Sequence, residues 1–249
     1  MNSSCAWPRI AVALLQALLA APVSAASLLL QPALASDELF RGISQNNSLT
    51  ASLRVDGRIA SHGYVGGRVL NQRSLGRVQG DLYLGATRGF ALFELIPASV
   101  DAGLAASVYG GRSQLRGIAD PDYLEAYGNL VVGPVRVGAS FSPDYYGTGG
   151  AAGRLSAQLK WPLPVTGLGI AGVAGWNVGA GVERYTASRR DSGYGRRYAD
   201  YALSLTQVLP EDFSAVLQIG GASIAIDGSR TPTVLLGLRW LYGLGSTGR

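Results

Sequence analysis

The stretch TVLLGLRWLYGLG, Thr233 to Gly245, is almost wholly apolar yet carries a permanent charge at Arg239. In a buried core or on a membrane helix that guanidinium would be costly. Read with a period of two, the conflict disappears. Val234, Leu236, Leu238, Trp240 and Tyr242 fall on one face, and Leu235, Gly237, Arg239 and Leu241 on the other. Successive side chains of a strand point to opposite sides of the sheet, so Arg239 is not in the apolar layer at all. Two architectures accept such a strand. A soluble β-sandwich or barrel turns the apolar face inward, whereas a membrane barrel turns it outward to lipid and lines its lumen with the polar face.

The same alternation recurs along the chain. Val135, Val137, Ala139 and Phe141 oppose Arg136, Gly138 and Ser140; Leu155, Ala157, Leu159 and Trp161 oppose Arg154, Ser156, Gln158 and Lys160. The segments 100–109, 124–132 and 199–206 repeat it, and no window after the first 25 residues has a convincing helical period. The segments run to about ten residues, the length that crosses a bilayer at a tilt. Aromatic residues such as Trp161, Trp176, Tyr198, Trp240 and Tyr242 sit near segment ends, where interfacial girdles lie.

Composition agrees. Of 249 residues 35 are glycine and 15% are charged, against about 25% charged in soluble domains. The net charge of +5 comes almost wholly from arginines spread along the chain, with Lys160 the only lysine. That scatter gives no nucleic-acid footprint. The N-terminus reads as an export signal over residues 1–25. Arg9 precedes the apolar run IAVALLQALLAAPVSA, which ends in the small-residue site Val23-Ser24-Ala25. Ala33-Leu34-Ala35 is a second candidate cleavage site. Cys5, the single cysteine, lies in the leader, so the mature chain has neither a disulfide framework nor a thiolate metal site. No metal site or cofactor is expected.

These features predict an all-β fold: an antiparallel transmembrane β-barrel over 26–249, of about 12 strands with periplasmic termini. The expected strands are 36–45, 49–59, 63–72, 79–88, 99–109, 123–133, 135–142, 153–161, 167–178, 198–209, 213–224 and 233–242. Turns on one side are then mostly short (60–62, 133–134, 162–166, 210–212), and those on the other mostly longer, up to 179–197. This is the asymmetry of outer-membrane barrels. The segment 89–98, RGFALFELIPAS, fits least well, being long and apolar for a turn.

Several motifs resemble a known family. SDELFRGISQ (36–45) is similar to the opening signature of the TorF-like (Gcw_chp) family of outer-membrane porins of Gram-negative bacteria. SHGYVGG (61–67), YLEAYGNLVVGPVRVGASFSPDYYG (123–147), GLGIAGVAGWN and YADYALSLT resemble later family segments. The resemblance implies an outer-membrane location and passive permeation. The arginine-rich loop 184–197 and Ile118-Ala119-Asp120-Pro121 have no counterpart in it.

The charged residues of the polar faces are the candidate lumen lining: Arg41, Arg54, Asp56, Arg68, Asp81, Asp101, Glu125, Arg136, Arg154, Lys160, Asp200 and Arg239, with Arg58 beside them. Opposing charges could polarise a narrow channel, or salt bridges could fill a closed barrel. Arg41 is expected to pair with a lumen carboxylate near the barrel seam, and Gly42 to mark a bulge or close backbone approach. Tyr145 and Tyr146 follow Ser142-Pro143-Asp144, a turn, and would line the mouth or serve that turn alone. Arg189, Arg190, Arg196 and Arg197 lie on an outer loop where lipopolysaccharide phosphates would meet them. Periplasmic chaperones and the outer-membrane assembly machinery are the other expected partners. His62, the only histidine, stands beside Ser61 in a turn. A lipid-modifying enzyme would need such a pair facing one substrate, but neighbours on a strand point apart, so the chain reads as no enzyme. A barrel without a pore, structural or adhesive, is the alternative function, with a lipid-modifying barrel enzyme a lesser one.

Overall fold

Strand pairing closes on itself. The computed structural model describes residues 28–244 apart from 60, 74, 76, 112, 190–194 and 226–229; the segment 1–25 expected to be a leader and the tail after Leu244 lie outside the described residues. The wall runs β1 (Leu28–Ala35), β4 (Thr50–Ile59), β5 (Gly63–Asn71), β6 (Val78–Leu92), β7 (Ile96–Gly110), β8 (Tyr123–Val132), β9 (Val135–Ser142), β10 (Ala152–Pro162), β11 (Leu168–Val178), β12 (Arg197–Val208), β13 (Phe213–Ala222) and β14 (Thr233–Trp240), continued as β15 (Tyr242–Leu244). Each strand pairs antiparallel with the next, and β1 pairs with β14 and β15 to seal a twelve-stranded barrel. A short hairpin, β2 (Leu39–Phe40) with β3 (Ile43–Ser44), stands apart from the wall. No described helix is long and apolar enough to cross a membrane; the crossing elements are strands.

The period-two faces fall as the alternation requires. Leu104, Val137, Phe141, Leu155, Leu159, Leu203, Leu217, Leu236 and Leu238 are all exposed on the outside. The polar residues between them point inward. Water would not tolerate such a continuous apolar belt, since large exposed patches mark contact with lipid or another protein. The belt therefore makes the molecule a transmembrane barrel and excludes the soluble sandwich.

Three expectations are corrected. Residues 36–45 do not form the first wall strand. That strand is β1, LLLQPALA, and 36–49 instead folds into the barrel from its long-loop end. The reason is alternation: SDELFRGISQ has no outward apolar face, whereas Leu28, Leu30 and Leu34 alternate with Leu29, Gln31 and Ala33 in register with β4. Second, 89–98 is no irregular loop. β6 and β7 are each 15 residues long and meet in a tight turn where Phe93 and Glu94 have φ of 52° and 61°, the positive pair a type I′ hairpin demands. Their neighbours stop early: β5 reaches only Ala86 on β6, and β8 only Ala98 on β7. Residues 87–97 thus project beyond the short-turn rim, with Phe93 86% and Leu95 84% exposed. Third, the loop 179–197 contains a helix, α1 (Ala180–Ser188), where none was expected.

Candidate functional site

The long-loop half of the barrel is filled by three inward elements. The first is the hairpin of residues 36–49. Asp37, 5% exposed, ties its base: one carboxylate oxygen accepts the N–H groups of Glu38, Asn46 and Asn47 at 2.7, 3.1 and 2.9 Å, and the other accepts the Ser44 hydroxyl at 2.5 Å. The tip turns through Arg41 (φ 51°) and Gly42 (φ 75°). A Cβ at position 42 would collide with the Gly221 carbonyl on β13, so this close approach needs glycine as well as its conformational freedom.

From that tip Arg41 forms an ion pair with Glu125 on β8. Arg41 does find a carboxylate, but on the wall opposite the seam rather than near it. Behind it, Arg68 bridges Glu38 of the hairpin at 2.8 Å and Asp81 of β6 at 3.1 Å. The hairpin is thus held by charge to two separate stretches of wall.

The second and third elements are the turn at 143–151 and α1. Tyr145 and Tyr146, each 1% exposed, pack with Tyr123, Tyr185 and Tyr198. Tyr146 stacks on Tyr185 with ring centroids 4.4 Å apart and an interplanar angle of 15°. Tyr145 and Tyr146 therefore belong to a packed core. Gly181 of α1 packs against the Gly150 backbone, and Arg189 after the helix donates to the Tyr185 hydroxyl at 3.1 Å and the Ser44 carbonyl at 3.1 Å, so it is buried in the plug and not on the outer surface where it was expected. Ile43, Leu75, Leu115, Ile118 and Val182 complete an apolar cluster inside the barrel mouth. Pattern reading missed this cluster because its members come from five separate loop or hairpin segments and from the wall strands β8, β10 and β12.

The loop residues 113–122 contribute Leu115 and Ile118 to the cluster and end in Asp122, whose carboxylate accepts the Tyr109 N–H at 2.7 Å. Burial, reinforced by Asp120, pushes the Asp122 carboxyl up to about 6. A folded-state value above the unfolded value of about 3.9 means that ionisation weakens the folded form; the stabilisation is full below pH 4 and is lost as pH rises through 6. We expect this loop to resist protease better at pH 5 than at pH 7, and Asp122→Asn to abolish the difference. Equal nicking of the wild type at both pH values would contradict this.

Beside and below the plug the wall is polar. Asp101 accepts the Tyr64 hydroxyl at 2.5 Å and the Asn129 amide at 3.0 Å. Tyr83 donates to Asp56, which also pairs with Arg54 at 2.8 Å. Arg154 makes two hydrogen bonds to Asp200, the shorter 2.7 Å, and Asn177 donates to the same carboxylate. Every carboxylate expected in the lumen thus has a partner. Arg136, Lys160 and Arg239, with Arg58, lie on inward positions of the short-turn half and are exposed; among the described residues none has a carboxylate partner. His62 sits in a rim turn, where its carbonyl accepts the Thr87 N–H at 2.8 Å. Arg196 pairs with Glu183 on the surface at 3.0 Å, while Arg190 lies outside the described residues.

Closed wall, apolar belt and charged interior define the class: a transmembrane β-barrel of the porin fold. The NanC porin has this fold, aligning with 86% of this chain and 98% of its own at a TM-score of 0.51 and 9% identity. Also similar are a KdgM porin in complex with disordered oligogalacturonate (86% and 98% covered, TM-score 0.49, 10% identity) and OccK11 (OpdR) of Pseudomonas aeruginosa (90% and 68% covered, TM-score 0.41, 17% identity). No family model and no curated protein matches the sequence, so the TorF-like resemblance rests on its motifs alone.

Proposed function

We propose that the protein is an outer-membrane porin-type barrel forming a narrow passive channel for small hydrophilic solutes. The carrying observation is the inversion of its wall, apolar outside and polar inside, around space that the plug does not fill. A cavity of about 230 Å³ lies under the hairpin, bordered by Asp37, Glu38, Arg54, Arg68 and Arg239. Another of about 520 Å³ lies towards the short-turn rim. Twelve strands enclose more space than the eight that side chains can fill. The short turns face the periplasm and the long loops the exterior, where Arg196 and Arg197 would meet lipopolysaccharide phosphates. Kinship with the TorF-like family is part of this reading. The packed tyrosine plug favours a second reading, a non-conducting barrel with a structural role.

Single-channel recording of the refolded protein separates the two. Small, discrete conductance steps are expected; a silent bilayer containing folded barrel would leave the structural reading. The leader is proposed to end at Ala25. A cut after Ala35 would remove β1, the strand that seals the barrel. N-terminal sequencing of the outer-membrane form should begin at Ala26, and a start at Ser36 would refute this.

A further inference from the structure

We infer that the lumen wall from β10 to β14 is a binding subsite for small anions that also carry hydroxyl groups. This rests on the channel reading and adds a solute class to it. The first observation is a charge imbalance. Asp56, Asp81, Glu125 and Asp200 are paired with Arg54, Arg68, Arg41 and Arg154, and Asp101, which lies on β7 outside this stretch of wall, is held by the Tyr64 hydroxyl and the Asn129 amide. Lys160 and Arg239 keep their charge unpaired among the described residues, and both are exposed to the lumen.

The second observation is where these two cations stand. They border the same cavity of about 520 Å³, within the roughly 300–1,000 Å³ of small-molecule sites. Between them the inward positions of β11 and β12 carry Ala171 and Ala202, so the wall is recessed there. The recess is edged by Gln158, Ser204, Thr206 and Gln218. Ammonium and guanidinium groups at the flanks suit a carboxylate or phosphate, the guanidinium through paired N–H donors. Amides and hydroxyls both donate and accept, as the hydroxyls of a polyol require. Arg239 and Gln218 also border the cavity beneath the plug, so an anion held here stands on the way between the two spaces.

The shared chemistry is an anionic polyol, whether its charge is a carboxylate or a phosphate. Gluconate and glucose 6-phosphate probe the two sources, and glucose supplies the hydroxyls without charge. Refolded full-length mature protein is examined in two ways. In planar bilayers under a potassium chloride gradient, the reversal potential should indicate anion preference, and gluconate or glucose 6-phosphate should interrupt the current while glucose at equal concentration does not. In detergent, saturation-transfer NMR should detect binding of the same anions. Lys160→Gln with Arg239→Gln should reduce the anion preference, Arg58 and Arg136 remaining, and weaken both block and binding at least tenfold. Arg196→Gln, on the outer surface, should change neither.

A channel that conducts but neither prefers anions nor loses gluconate block in the double variant would overturn the subsite and leave the channel reading intact. A barrel that does not conduct would overturn the channel reading. Saturation transfer then decides the subsite alone: anion binding lost in the double variant supports it, and no binding by the wild type overturns it. Block by acetate as strong as by gluconate would remove the hydroxyl part of the assignment.

Discussion

Leu203→Arg should abolish barrel assembly, whereas Ser204→Arg, one residue on, should leave it intact. Leu203 lies in the middle of β12, paired with Gly172 and Ile219, and is 49% exposed on the outer belt. An arginine there meets hydrocarbon, at a cost of about 2–4 kcal/mol near the bilayer midplane. Ser204 points inward to the recess beside Thr206 and Gln218, where an added guanidinium stays in water. The comparison holds strand, propensity and side chain nearly constant and changes only the side of the wall. It is read as the heat-resistant folded fraction on gels after refolding into vesicles. Equal losses from the two changes would mean that the wall is not inverted as described.

Arg41→Ala should unfasten the plug. Its guanidinium side chain is 7% exposed and pairs with Glu125, itself 16% exposed. Removing one partner of a buried pair leaves the other charge desolvated, which costs about 3–5 kcal/mol. The wall does not depend on this pair, since β8 keeps its ladders to β7 and β9. The loss therefore falls on the hairpin, whose remaining charged ties among the described residues are the Glu38–Arg68 ion pair and the Arg189 bond to the Ser44 carbonyl. We expect a folded barrel with several-fold larger and noisier conductance. Arg41→Ala with Glu125→Gln should recover part of the quiet state, because no ion is then stranded. Conductance of Arg41→Ala equal to that of the wild type would show that the hairpin does not constrict the path.

The wall was legible in the sequence because alternation is local: each residue's side follows from its neighbours, and 135–142 or 153–161 needs no tertiary knowledge. Where local signals compete, reading failed. LLLQPALA continues the apolar leader, contains Pro32 and ends in a plausible cleavage site, so nothing local marks it as a wall strand; only its register with Thr50–Gly57 does. The apolar–polar mixture of SDELFRGISQ suits a strand and a folded-in hairpin alike. Likewise α1 lies between Gly179 and Arg189 in a nine-residue stretch, too short and too glycine-flanked to declare a period. Lumen charges could be enumerated, but their partners could not. Arg41 meets Glu125 across 84 residues, and such meetings depend on strand tilt and on how loops fold inward.

Closure of the ring has a consequence for how the molecule comes into being. The sealing contact joins the first strand to the last, as in the bond from the Leu236 N–H to the Ser36 hydroxyl, 200 positions apart in sequence. It is also discontinuous: Ala33–Ala35 pair with β14 and Leu28–Leu30 with β15, and no register pair joins them at Gln31 and Pro32. Every other neighbour in the ring is joined through a single connection, so those pairs need no meeting of the chain's two ends. The last one must await the complete polypeptide and gather ends whose separation makes their meeting entropically slow. Until then two unsatisfied backbone edges persist, the condition under which chains pair with one another. The final stitch is thus the pairing that carries the largest loop-closure cost, and the edges it seals are the ones most open to a stray neighbour until it is made.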